Sequence, residues 1–114
     1  MSLLKNSFPS KTILIVDDKT NNLQLLSEYL KKANYKVLIA QSGTKAIETA
    51  KVLRPDLILL DVMMPVMNGF DVGRHLKSNL ETKDIPLIFM TALAETKSKV
   101  VGFKLGAVDY IMST

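Results

Sequence analysis

The sequence predicts a single α/β domain built on a doubly wound parallel sheet of five strands. Two observations carry that expectation. Five short apolar runs rich in Val, Ile and Leu recur along the chain, and stretches with helical spacing separate them. The runs are Thr12–Val16, Lys36–Ala40, Asp56–Leu60, Ile85–Thr91 and Val108–Met112, and most do not alternate with polar residues. Strands buried on both faces read this way, because helices cover both sides of a parallel sheet.

After the first run, Leu23, Leu26, Leu30 and Ala33 recur at three- and four-residue steps and form one apolar helix face. Ala46, Ile47, Ala50 and Leu53 do the same after the second run, and Pro55 enforces the stop. Phe70, Leu76 and Leu80 mark a third helix, entered through the turn pair Asn68-Gly69. Val100, Phe103 and Leu105 mark a fourth, closed by Gly106. The order is β-α-β-α-β-α-β-α-β, and connections of this kind are right-handed, which winds the sheet on both sides. Residues 1–10 read as a polar lead-in and 11–114 as the domain. A fifth helix is absent from this chain, so one sheet face would keep only the first helix. Soluble monomers rarely leave such a surface bare, which favours continuation of the natural protein.

Composition excludes several classes of function. A length of 114 residues suits one domain, and 47% hydrophobic content suits a globular one. Cysteine is absent, which removes disulfide frameworks and thiolate sites. No apolar run approaches the roughly 20 residues that span a bilayer, and the start has no stretch of signal-peptide length. A cytoplasmic protein is expected, without membrane contact. The net charge is +4, but the basic residues are dispersed. Lys31, Lys32 and Lys36 are the densest group and carry no interleaved aromatics, so no direct nucleic-acid binding is expected.

Three acids stand at strand ends. Asp17 and Asp18 close the first run and Asp61 closes the third. In a doubly wound sheet, neighbouring strands that wind in opposite directions open a crevice at their carboxyl ends. If the first and third strands are neighbours there, three like charges meet and repel unless protons or a cation neutralise them. Oxygen ligands without cysteine suit a hard divalent ion such as Mg²⁺. Zinc is disfavoured, because His75 is the only histidine and reads as a surface helix residue. A lone acid in such a place reads as a helix cap, and Asp18 could cap the helix beginning near Thr20. An Asp-Asp pair with a third acid at a matching strand end reads instead as a site.

Four segments then carry a family resemblance. Ile-Leu-Ile-Val-Asp17-Asp18, Leu-Leu-Asp61-Val-Met-Met-Pro65-Val-Met-Asn-Gly69, Phe-Met-Thr91-Ala92 and Gly106-Ala107-Val-Asp-Tyr110 resemble the response-regulator receiver domain in order and spacing. The resemblance covers the chain from about Lys11 onward, and the segment around Asp61 is its most specific part. It implies a flavodoxin-like fold with strand order 2-1-3-4-5. It implies that Asp61 is the phosphoacceptor, taking a phosphoryl group from a histidine kinase or phosphotransfer protein. Asp18, Asp61 and the backbone carbonyl of Met63 would hold Mg²⁺, with Asp17 acting through water. Thr91 and Tyr110 resemble the switch pair of the family, and Pro65 and Gly69 would shape the loop, Gly69 by a turn conformation that side chains resist. A homodimer through the fourth-helix/fifth-strand face and a C-terminal effector domain outside this chain also follow from the resemblance. No turnover of a free substrate is expected.

One departure stands out. Where the family usually has Lys-Pro, this chain has Ser113 and Thr114. Serine is neutral and too short to replace a charged contact worth about 1.5–3 kcal/mol. Lys19 follows the acidic pair and Lys104 falls on the fourth helix, and neither is obviously placed to substitute. Metal binding is expected to survive this change, and switching to suffer. In the family this chain resembles, the side chains at Met63 and Leu93, two residues beyond Asp61 and Thr91, flank the path of an attacking water, and apolar groups there imply a long-lived phosphoryl-aspartate. The first rival reading is a pseudo-receiver that acts by protein contact alone. The second is a metal-dependent phosphatase, whose paired Asp-x-Asp is missing from Asp61-Val-Met.

Overall fold

A computed structural model describes residues 11–91 and the strand at 109–112, of which Thr91 and the last four residues enter as strand positions only. The lead-in 1–10, the helix expected around Val100 and Phe103, Leu93, Lys104 and Ser113 lie outside the described residues. Strand β1 (Thr12–Val16) leads into helix α1 (Thr20–Lys32). Then follow β2 (Lys36–Ala40), α2 (Gly43–Leu53), β3 (Leu57–Asp61), α3 (Gly69–Lys77), β4 (Leu87–Thr91) and β5 (Asp109–Met112). The five strands form one sheet in the order β2-β1-β3-β4-β5, and every pairing is parallel. This is the flavodoxin-like arrangement expected from the sequence.

The period of two within each strand sorts side chains into two cores. Leu14 and Val16 of β1 join Ile58, Leu60 and Phe89, with Ala46 and Ala50 of α2 and Val72 and Leu76 of α3. Ile13 and Ile15 point the other way, into a cluster with Leu59, Met90 and Leu23 of α1. Neither strand face is polar, which is why the runs showed no alternation. The first core is sealed at one edge by Phe70 and Phe89, whose ring centroids lie 5.0 Å apart.

The helix starts differ in how they are closed. Ser42 caps α2 by accepting from the Lys45 N–H at 3.2 Å. Asn68 and Asp71 cap α3 reciprocally, each side chain taking the other's backbone N–H. At α1 the N-cap is Lys19, without a side-chain cap bond. Asp18 therefore does not act as the helix cap that a lone acid would suggest.

The ends of α3 and β4 depart from the sequence expectation, and so does the burial of Leu53, although α2 stops ahead of Pro55 as expected. Helix α3 ends at Lys77, and Leu80 lies outside it, largely exposed. Local bonds end the helix there. The Thr82 hydroxyl donates to the Leu76 carbonyl at 2.7 Å, and Lys77 Nζ donates to the carbonyls of Lys83 and Ile85. Leu53 ends α2 as an exposed residue, because Arg54 takes a left-handed conformation at φ 44° ahead of Pro55. Strand β4 begins at Leu87, just after Pro86, which has no N–H to give the ladder.

The loop from β3 to α3 contains a tight turn. Val66 has φ 67°, and the Met67 N–H bonds to the Pro65 carbonyl at 2.7 Å. A β-branched residue in this region is strained, and the Val66 side chain is fully in solvent. Gly69 serves this loop in a different way from that expected. As the first residue of α3 it needs no left-handed conformation. A Cβ there would instead meet the Asp61 carbonyl and come within 2.8 Å of Val62 Cα. Gly69→Ala is expected to destabilise the domain by about 2 kcal/mol through this backbone clash. A lower urea midpoint with an unchanged slope would confirm it, and an unchanged midpoint would refute it.

Candidate functional site

Register makes the site. Val16 of β1 lies opposite Leu60 of β3, so one further step sets Asp17 beside Asp61 at the carboxyl edge of the sheet. Asp61 in turn pairs with Met90 of β4, and the Val62 N–H bonds to the Met90 carbonyl at 3.1 Å. Thr91 follows Met90 directly, and β5 brings Tyr110 opposite Phe89. The sheet thus brings Asp17, Asp61 and Thr91 to one edge, with Tyr110 two positions below that edge on the neighbouring strand.

Asp17, Asp18 and Asp61 each offer one carboxylate oxygen to a cluster whose atoms all lie within 4.8 Å of one another. Their surroundings differ. Asp17 is buried and both its oxygens are used. Oδ1 accepts from the Lys19 N–H at 2.9 Å and Oδ2 from the Asn22 side chain at 3.1 Å. Asp61 is also buried, and its Oδ1 accepts from the Met63 N–H at 3.2 Å. Asp61 Oδ2 and Asp18 Oδ1 are buried oxygens without any hydrogen bond. Buried carboxylate oxygens left in this state are costly. Their pairing here, beside a third acid, fits a hard cation held by oxygen ligands.

A lysine also reaches the pocket. Lys19 Nζ lies 3.5 Å from Asp18 Oδ1 and 3.9 Å from Asp61 Oδ2. Sequence reasoning saw no obvious role for Lys19. The signal was present, since a long flexible side chain directly after two acids can fold back over them.

The electrostatics follow from this crowding. Burial above all, and then the charge of Asp17, push the Asp61 carboxyl up to about 6, while the Met63 N–H and Lys19 oppose the rise. Lys19 is held above its ordinary value, chiefly by the negative charge of Asp61. His75 takes no part and sits exposed on α3.

The chain matches the family model described as the response regulator receiver domain over residues 13–113. It belongs to that family. The receiver is 42% identical over 100 residues to a probable cyclic di-GMP phosphodiesterase of Vibrio cholerae, covering 88% of this chain and 22% of that protein. It is also 42% identical over 101 residues to the phosphate regulon transcriptional regulatory protein PhoB of Pseudomonas aeruginosa, covering 89% of this chain and 44% of that protein. The receiver therefore spans less than half the length of these curated relatives. Among solved structures, the chemotaxis protein CheY4 of Vibrio cholerae superposes with a TM-score of 0.87 at 31% identity, covering 91% of this chain and 87% of that one. Among the described residues, no helix is long and apolar enough to cross a membrane.

The raised Asp61 value has a thermodynamic consequence in the metal-free protein. An acid that titrates higher when folded than when unfolded gives its full relative stability below about pH 4, and loses it as pH rises through about 6. Asp61→Asn removes that loss. The variant's stability advantage over the wild type should grow by about 2 kcal/mol between pH 4 and pH 7. Urea unfolding with EDTA at both pH values measures it, and a pH-independent difference would show that the pocket does not strain this carboxylate.

Proposed function

We propose that this receiver is a phosphoacceptor in two-component signal transduction, with Asp61 as the acceptor. The observation that carries the reading is the convergence of Asp17, Asp18 and Asp61, two of whose buried oxygens have no hydrogen-bond donor. Asp18, Asp61 and the backbone carbonyl of Met63 would hold Mg²⁺, and Asp17, whose oxygens are already engaged, would act through water. The ion would offset charge on the transferred group, and positioning would supply most of the remaining acceleration.

The chain's own part is then a displacement at phosphorus. An Asp61 carboxylate oxygen attacks the phosphoryl group of a phosphohistidine on a kinase or phosphotransfer protein. The new O–P bond forms as the P–N bond breaks, and the imidazole leaves and takes up a proton. A carboxyl that titrates near 6 is mostly ionised at neutral pH and available for attack. The loop anchors it, since Met63 donates to Oδ1 and leaves Oδ2 without a hydrogen bond.

Thr91 and Tyr110, on adjoining strands, are the proposed switch residues. The greater length of the curated relatives supports an effector domain beyond this chain, and the fourth-helix/fifth-strand face is the proposed dimer surface. Cytoplasmic location, a lack of free-substrate turnover and a lack of direct DNA contact by this domain complete the proposal. A second reading, the pseudo-receiver that signals by contact alone, is favoured by Ser113 in the place of the usual lysine.

Labelling separates the two. Acetyl phosphate with Mg²⁺ should add one phosphoryl mass to the wild type and none to Asp61→Asn, and EDTA should abolish the adduct. Absence of the adduct, together with no binding of beryllofluoride, would favour the pseudo-receiver. The loaded form should persist for minutes or longer, because the apolar Met63 beside the acceptor orients no attacking water. Decay within seconds, followed by intact-mass measurement, would refute that persistence.

A further inference from the structure

Lys19 gives the acidic pocket a cation of its own. Its ammonium approaches Asp18 Oδ1 at 3.5 Å and Asp61 Oδ2 at 3.9 Å, and these are the two buried oxygens that lack a hydrogen bond. The contacts are long ion pairs, so the lysine acts on these oxygens chiefly through its charge. Its two ends are fixed very differently. The backbone is pinned, because the Lys19 N–H donates to Asp17 Oδ1 at 2.9 Å and the Lys19 carbonyl accepts from the Leu23 N–H at 3.2 Å as α1 begins. The side chain is 59% exposed, and its flexible stem can carry the charge back into water.

We propose that Lys19 is a tethered counterion that a divalent cation must displace from Asp18 and Asp61, so that this lysine sets the cation affinity of the site. The inference rests on the metal site of the receiver reading. The same pair of oxygens serves both cations, and a single positive charge a few ångströms from a double one is strongly repulsive. Displacement moves the ammonium only the length of its own side chain, and the pinned backbone returns it when the ion leaves. A lysine that merely held the carboxylates in place would have the opposite effect, since its removal would loosen the ligands and weaken binding.

The test is a calorimetric titration of the metal-free protein with MgCl₂, repeated with Mn²⁺ followed by electron paramagnetic resonance. Lys19→Gln removes the charge, and Lys19→Met keeps the apolar stem without it. Lys51→Gln, in the last turn of α2, controls for net charge. Both Lys19 variants should bind about threefold to tenfold more tightly than the wild type, and Lys51→Gln within about twofold, as expected for a local charge over a screened one. If the wild type binds Mg²⁺ and the Lys19 variants bind equally or more weakly, the counterion role is overturned while the metal site stands. If none of the proteins binds Mg²⁺ or Mn²⁺, the metal site of the receiver reading fails, and this inference with it.

Discussion

The structure depends on one enforced proximity, that of Asp17 and Asp61 at the ends of adjacent parallel strands. Neither carboxylate would choose the other as a neighbour. The register of β1 and β3 leaves no alternative, because Ile13, Leu14, Ile15 and Val16 are locked against Leu57, Ile58, Leu59 and Leu60. A slip of one residue would turn every one of these side chains to the wrong core. Hydrophobic packing thus holds together a charged edge that electrostatics alone would open. Burial first, and then this repulsion, raise the titration of Asp61, and a lysine lies close by.

What compensates this edge is local and polar. The Met63 N–H steadies one oxygen of Asp61, and the Lys19 N–H and Asn22 amide steady both oxygens of Asp17. Two of these donors are backbone N–H groups just after a strand, where a chain leaving a parallel sheet has them to spare, and the third is a side-chain amide from the first turn of α1. The architecture supplies donors where it concentrates acceptors, which agrees with ligand sites at the carboxyl ends of such sheets.

Much of this was legible in the sequence because burial on both faces writes continuous apolar runs, and those runs placed all five strands. The three acids were legible because charged residues that end such runs have few structural explanations. Other features left no trace. Leu80 has the right spacing for α3, but the bonds that end the helix come from Thr82 and Lys77, which periodicity does not register. Gly69 looked like a turn residue, whereas its smallness matters against the Asp61–Val62 backbone. The left-handed Val66 goes against propensity outright, since nothing in a valine announces positive φ. The reach of Lys19 is a rotamer choice, decided by charges from a strand forty residues away in the chain.

Asp17 has both oxygens occupied by the opening of α1, through the Lys19 backbone and the Asn22 amide. The residue that adds most neighbouring charge to Asp61 is therefore also the bracket on which the first helix is hung. Truncating this side chain would ease the one and unhook the other. A neutral, shorter residue here would leave the Lys19 N–H and the Asn22 amide without their acceptor, so the acid serves the architecture as well as the chemistry.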